Sequence, residues 1–246
     1  MPATPAWPPM SLPRLFVRQP LVEGGGVHLD AAQTNYLGNV MRLKKGGELL
    51  VFDGRSGEWL ARVADADRKR MTLAVGGKTR GLERVPDVWL AFAPVKRAGT
   101  DWLVEKATEL GAARLVPVIT RRTVTERVKL ERLDAIAIEA AEQCGRTAVP
   151  ELAQPVPLAS LLEEHDARRT LYFADEAGGE AAVTAFQPGP ACILIGPEGG
   201  FADEERAAIR ALPNTVAVSL GPRILRAETA ALAALAAYMA VAGDWR

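Results

Sequence analysis

The stretch "ILIGPEGGFADEE", Ile193 to Glu205, starts as an apolar strand, breaks into glycine, proline and glutamate, and then opens a helix. Nearly all-apolar strands such as "ACILIG" suit the centre of a parallel sheet covered on both faces. Ligands of open parallel sheets sit beyond the carboxyl ends of the strands, so the loop after such a strand is the first place to look for a site. A second loop of the same kind, "SLGPRILRAET", Ser219 to Thr229, follows the next strand. Gly permits close backbone approach and positive φ, and Pro fixes the chain. By itself "GPEGG" is an ordinary strand-to-helix turn in which Glu198 complements the helix dipole. Two such loops, expected on neighbouring strand ends, favour a ligand with a polar-edged ring such as adenine. Arg223 and Arg226 need partners in this apolar region: either Glu198 or Glu228, or an anionic substrate. Thr229 either bonds within its own helix or touches substrate.

Outward from these loops, strands and helices alternate from Pro86 to the end. "DVWLAFAPV", "RLVPVIT", "RRTLYFAD", "ACILIG" and "TVAVSLG" read as strands. Helices lie between and after them, "TDWLVEKATELG" ending at Gly111 and "KLERLDAIAIEAAEQCG" at Gly145. This rhythm predicts βαβ crossovers and a mostly parallel sheet, an α/β domain over 86–246. The last helix, Ala227 to Ala242, is apolar nearly all round and must be buried, in its own domain or in a dimer interface.

The front differs. Residues 14–80 hold short β-like runs separated by "EGGG", "KKGGE" and "DGRSGE", with one helix in "DAAQTNYLGNVMRL" that Asp30 caps and whose apolar spacing falls on Tyr36, Val40 and Met41. Several short strands and one helix in so short a span suggest a small barrel. "RGLERVP" links the two parts, and the uncharged, Pro-rich residues 1–13 read as a flexible tail.

Composition limits the function. The chain of 246 residues carries 30 Lys and Arg against 30 Asp and Glu, so no overall charge draws it to a polyanion. Residues 14–80, however, hold twelve Lys and Arg against seven Asp and Glu, and the remainder eighteen against twenty-three. This excess fits an anionic partner and, equally, a solvated surface with a chance imbalance. Local basic groups are "RLKK" (Arg42 to Lys45), "RKR" (Arg68 to Arg70), Lys96 with Arg97, and Arg121 with Arg122. Two cysteines, Cys144 and Cys192, exclude a disulfide framework and sit at no metal-ligand spacing. No apolar run is long enough for a membrane span, so no membrane is expected and a reducing cytoplasm is. His28 and His165 are isolated, without triad partners. The first strand–helix loop lacks a dinucleotide fingerprint, and no phosphate-binding P-loop occurs.

"LIGPEGGF" followed by "LGPRILRAETAALAAL" resembles the RsmE family, the uridine-N3 methyltransferases of small-subunit ribosomal RNA within the knotted SPOUT methyltransferases. "VMRLKKGGELLVFDGRSGEW", "DWLVEKATELG" and "IAIEAAEQCGR" extend the resemblance over nearly the whole chain after the tail. It implies a C-terminal SPOUT-type α/β domain with a trefoil knot and a mostly parallel sheet, plus a small N-terminal PUA-like β-barrel. It implies S-adenosylmethionine as cofactor, 16S ribosomal RNA or the 30S particle as partner, the m3U1498 modification as product, and a homodimer. "FADEA", "GPEGG" and "LGPRILR" would then hold the cofactor, largely by backbone groups. The residues are Ala174, Ile195, Gly196, Pro197, Gly199, Gly200, Leu220, Gly221, Ile224, Leu225 and Thr229. Arg226, then Arg223, would stabilise the uracil N3 anion, with Glu198 or Glu228 as a candidate proton acceptor. Arg14, Arg42, Lys44, Lys45, Lys96 and Arg97 would contact RNA. No metal is implied. Ala202 departs from the pattern, standing where a Ser or Thr helix cap is common. A ribose 2′-OH or transfer-RNA methyltransferase and a non-catalytic RNA-binding module are the rival readings.

Overall fold

The computed structural model describes residues 12–67, 70–124 and 127–245, apart from the Arg97 side chain. The tail expected over 1–13 lies, through residue 11, outside the described residues, as do Arg68 and Lys69 of "RKR". The chain divides into two compact units. The first runs to Glu83 and takes in Gly145–Ala148; the second is Arg84–Cys144 with Val149–Arg246.

In the first unit the chain runs through β1 (Arg14–Phe16), β2 (Gly26–His28), α1 (Ala31–Asn35), β3 (Glu48–Phe52), β4 (Glu58–Ala66) and β5 (Met71–Arg80). They form one five-stranded sheet in the order β1-β3-β4-β5-β2. β1 pairs parallel with β3 and the other ladders are antiparallel. Strand alternation sends Trp59, Ala61 and Val63 of β4 and Met71, Leu73 and Val75 of β5 into one core with Leu49 and Val51. Asp30 caps α1: its carboxylate accepts from the Gln33 backbone N–H at 2.8 Å, and the Gln33 side chain accepts from the Asp30 N–H. The helix then widens into a π-turn, Tyr36–Val40. The wider turn shifts the apolar phase from the expected one. Leu37 is fully buried, whereas Val40 and Met41 face solvent.

One buried carboxylate organises this unit. Glu58 accepts from Arg14 Nε at 2.8 Å and, in a fork, from Arg80 Nε and Nη2 at 2.9 and 2.7 Å. The two arginines also donate to the carbonyls of Arg146 and Gly145, while Glu83 accepts from the N–H groups of Thr147 and Ala148. These bonds attach Gly145–Ala148 to the first unit, a long-range pairing that no local pattern announces. They also correct the expectation for Arg14. Its side chain is 8% exposed and committed to Glu58, so it holds the fold together and presents no charge to a phosphate.

The second unit contains β6 (Val88–Phe92), α2 (Arg97–Glu109), β7 (Arg114–Ile119), α3 (Leu130–Cys144), β8 (Glu151–Leu152), β9 (Val156–Pro157) and α4 (Leu158–Glu163). It continues with β10 (Thr170–Ala174), β11 (Glu180–Ala181), α5 (Ala182–Ala185), β12 (Ala191–Ile195), α6 (Asp203–Ala211), β13 (Thr215–Ser219) and α7 (Ala227–Val241). The sheet order is β11-β13-β10-β12-β6-β7-β8, with β9 beside β7, and every ladder is parallel. Alternate residues of β12 point to opposite layers. Ile193 and Ile195 join a core with residues of α2, α3, α5 and α7; Cys192 and Leu194 join one with residues of α4 and α6. α7 packs Ala231, Ala234, Leu235, Tyr238 and Met239 into the core of its own unit, which accounts for most of its apolar surface. Burial pushes the Cys192 thiol up to about 12, leaving it unreactive at neutral pH.

The strand order corrects one reading of the sequence. β12 and β13 are not neighbours; β10 lies between them. In a parallel sheet the crossovers decide spatial order, and successive strands in the chain need not touch.

Glu58 gives the first prediction. Burial alone would raise its pKa, but the hydrogen bonds from Arg80 and Arg14 outweigh that and hold it below the ordinary range. A depressed carboxylate stabilises the fold at neutral pH, and that contribution is lost as pH falls through the folded-state pKa. Glu58→Gln should therefore cost about 3 kcal/mol at pH 7 by urea unfolding, and the gap to the parent should shrink in acid. Equal stability of the two proteins at pH 7 would contradict this role.

Candidate active site

Three loops meet at the carboxyl edge of the second unit's sheet, after β12, β10 and β13. The β12 loop is a tight turn closed by the Gly200 N–H donating to the Pro197 carbonyl at 2.9 Å, with Gly200 at φ +67°. The Phe201 ring folds back over Gly196, so that a Cβ there would lie 3.0 Å from the ring. Gly199 is covered by the Arg122 side chain, whose guanidinium donates to the Gly199 carbonyl at 2.7 Å. α6 follows with Asp203, Glu204 and Glu205 in its first turn, the charges that suit the helix dipole. Ala202, at the cap position, has no acceptor of its own. Glu205 supplies only the reciprocal half of a capping box, accepting from the Ala202 N–H at 2.9 Å, and also accepts from the Arg121 N–H at 2.8 Å.

The β10 loop is held by a second buried carboxylate. Asp175 accepts from the Ala177 N–H at 2.9 Å and from Arg210 Nη2 at 2.6 Å. Arg206 Nε lies 3.2 Å from its other side without hydrogen-bond alignment. Arg206 Nη2 also donates to Glu176 at 2.8 Å. A Cβ on Gly200 would stand 2.6 Å from the Glu176 carboxylate, so glycine at that position lets the β10 and β12 loops close on each other. The β13 loop turns at Gly221, φ +106°, and reaches α7, whose first turn begins when the Arg226 carbonyl accepts from the Ala230 N–H.

Between the three loops lies a cavity of about 490 Å³. Of the residues expected at a cofactor, Ala174, Ile195, Gly196, Pro197, Gly200, Leu220, Gly221, Ile224 and Leu225 line it. Gly199 and Thr229 do not: Gly199 faces Arg122, and Thr229 is exposed on α7. Glu198 and Arg223 line the cavity, whereas Arg226 caps α7 outside the lining. Neither Arg223 nor Arg226 forms an ion pair with Glu198 or Glu228 among the described residues. Arg42, Lys44 and Lys45 are exposed on the first unit and Lys96 on the second; the Arg97 side chain lies outside the described part.

The sequence reading missed the acid–base frame of the β10 loop. Its signal was present: Arg206 and Arg210 stand four residues apart on α6 and so share a face. What the spacing could not supply was the carboxylate from another strand that they grip. The clamp from Arg121 and Arg122 onto the β12 loop was hidden for the same reason.

With its parallel-sheet unit, the strand-end cavity in it and a separate small β unit, the chain belongs to the class of RNA methyltransferases, as the family models show. A family model for an RNA methyltransferase domain matches residues 83–239, and one for an RNA methyltransferase PUA domain matches 29–75. More narrowly, the chain belongs to the ribosomal RNA small subunit methyltransferase E family. It is 34% identical to the Synechocystis protein of that name over 231 residues, 91% of this chain and 76% of the relative. A Legionella pneumophila methyltransferase solved in complex with the bound cofactor SAM is 30% identical, with a TM-score of 0.87 over 96% of this chain and 100% of that one. The Neisseria gonorrhoeae ribosomal RNA small subunit methyltransferase E bound to S-adenosyl methionine is 29% identical, with a TM-score of 0.86 over the same shares.

Removing the β10 anchor should have a cost. Asp175→Ala leaves two arginines facing a vacated buried position, and we expect a loss of about 3 kcal/mol in urea unfolding with an unchanged denaturant slope. A variant within ~0.5 kcal/mol of the parent would show that the frame contributes nothing to stability.

Proposed function

We propose that this chain transfers the methyl group of S-adenosylmethionine to N3 of a uridine in small-subunit (16S) ribosomal RNA. The observation that carries the reading is the cavity itself, framed by two glycine–proline loops at strand ends, together with cofactor-bound relatives of the same fold. Its volume of about 490 Å³ falls in the range of small-molecule sites. Its lining is mixed in the way such a cofactor requires. Ile195, Val218, Leu220 and Leu225 offer apolar surface to a flat ring, and Glu198 offers negative charge to a cation. Positive φ at Gly200 and Gly221 lets backbone groups approach a ligand where a side chain would intervene.

The cofactor supplies an already electrophilic methyl group, so the chain's own work is alignment and charge stabilisation. Uracil N3 carries a proton and becomes nucleophilic when it leaves. A guanidinium beside it favours the anion. Arg226 is assigned that role, with Arg223, on the cavity lining, as the second candidate and Glu198 as proton acceptor. N3 lies on the Watson–Crick edge, so the target base must be unpaired or turned out. The first unit, with exposed Arg42, Lys44 and Lys45, would grip RNA backbone while the second carries out the transfer. A homodimer, a trefoil knot in the threading of the late loops, and a cytoplasmic location follow from the family resemblance and belong to this proposal. Among the described residues no helix is long and apolar enough to cross a membrane.

Labelled cofactor and 16S ribosomal RNA should yield 3-methyluridine by nucleoside mass spectrometry; a 2′-O-methyl nucleoside or no incorporation would refute the assignment. Arg226→Ala should keep calorimetric affinity for the cofactor but lose roughly 10²-fold or more in single-turnover rate. An unchanged rate would remove Arg226 from the chemistry. Gly196→Leu, which drives a side chain into Phe201 and the cavity wall, should abolish cofactor binding, and normal affinity would count against the site.

A further inference from the structure

A second, smaller cavity opens on the same edge of the sheet. It measures about 110 Å³ and is lined by Pro94, Val95 and Thr100 at the end of β6 and the start of α2, and by Arg127, Val128 and Lys129 before α3. Asp101, Arg132 and Leu133 complete it. β6 is the parallel neighbour of β12, with Phe92 opposite Ile195, so both cavities lie beyond the carboxyl ends of adjoining strands. The start of α2 also lies close to α7: a Cβ on Gly99 would come within 3.8 Å of the Glu228 carboxyl carbon. The small cavity is thus beside the end of α7 that leads back to Arg226 and Arg223.

Its charge is uneven. Arg132 is neutralised by Asp101 through a bidentate pair at 3.0 and 2.6 Å. Arg127 and Lys129 form no ion pair among the described residues, and both bring positive charge to the lining. Val128 between them packs against the main core and holds both on the rim. The Thr100 hydroxyl is fully used by the Val95 backbone, so the floor is rigid. α2 carries no acidic residue in its own first turn, and the Glu228 carboxylate of α7 lies close to that turn. Glu131, next along α3, lies outside the lining. About 110 Å³ is the room of roughly four waters, enough for a phosphate group and too little for a nucleoside.

We propose that this cavity binds a backbone phosphate of the RNA substrate, through Arg127 and Lys129, and so registers the strand against the transfer site. The inference rests on the proposed function. The chain as a whole is neutral, so an RNA must be held by local clusters of this kind rather than by a general field.

The test is salt-dependent binding of a fluorescent single-stranded RNA carrying the target uridine, with the full chain. The double variant R127A/K129A should weaken binding roughly tenfold and lower the slope of log affinity against log salt by about 1.4, two phosphate-neutralising charges' worth. KM for RNA should rise while calorimetric affinity for S-adenosylmethionine stays at the parent value. The charge-keeping variant R127K/K129R should restore the slope, which a merely structural role would not predict. Inorganic phosphate should compete with RNA for the parent and not for R127A/K129A. An unchanged slope and KM in a double variant whose parent methylates RNA would overturn this subsite alone. A defect seen only with intact ribosomal particles would also overturn it, in favour of a protein contact. A parent that methylates no RNA would overturn the function itself and this inference with it.

Discussion

Three parallel strands, β12, β10 and β13, end at one edge of a sheet, and their loops must all turn within reach of one another. That constraint governs the second unit. Side chains on those turns would keep the backbones apart. Glycine removes the obstruction where contact is closest: Gly200 against Glu176 and Gly196 under Phe201. Pro197 and Pro222 then fix the direction of the β12 and β13 turns. The resulting space is lined by glycines and prolines of these turns together with apolar and acidic side chains.

Each unit is tied together by a buried carboxylate gripped by two arginines: Glu58 by Arg14 and Arg80, Asp175 by Arg206 and Arg210. Such pairs add less net stability than their geometry suggests, because both charges give up water. Their value lies in specificity, since losing one partner strands the other. In the first unit the pair captures a segment far away in sequence. In the second it fixes the loop that closes on Gly200.

Much of this was legible in the sequence. The alternation of apolar strands and helices after Pro86 foretold an α/β unit with a parallel sheet, and the all-apolar "ACILIG" foretold a central strand. Gly111 and Gly145 end their helices with positive φ, as expected of them. The two glycine–proline loops pointed to the cavity. Spatial order was not legible: β10 stands between the two strands read as neighbours, because crossovers and not chain order set adjacency. Long-range charge pairing was hidden too. Arg14 was expected to contact RNA because nothing near it in sequence reveals Glu58. The phase of the front helix failed at Val40 and Met41, where a π-turn breaks the 3.6-residue period on which the reading relied.

The central claim is that the three-loop cavity is the seat of the methyl donor. A crystal structure of the protein with S-adenosylmethionine tests it most directly. The account predicts the adenosyl group between Ile195–Pro197 and Leu220–Leu225, with Ala174 at its side. Density for the donor anywhere else on the chain, with that cavity filled only by solvent, would contradict it.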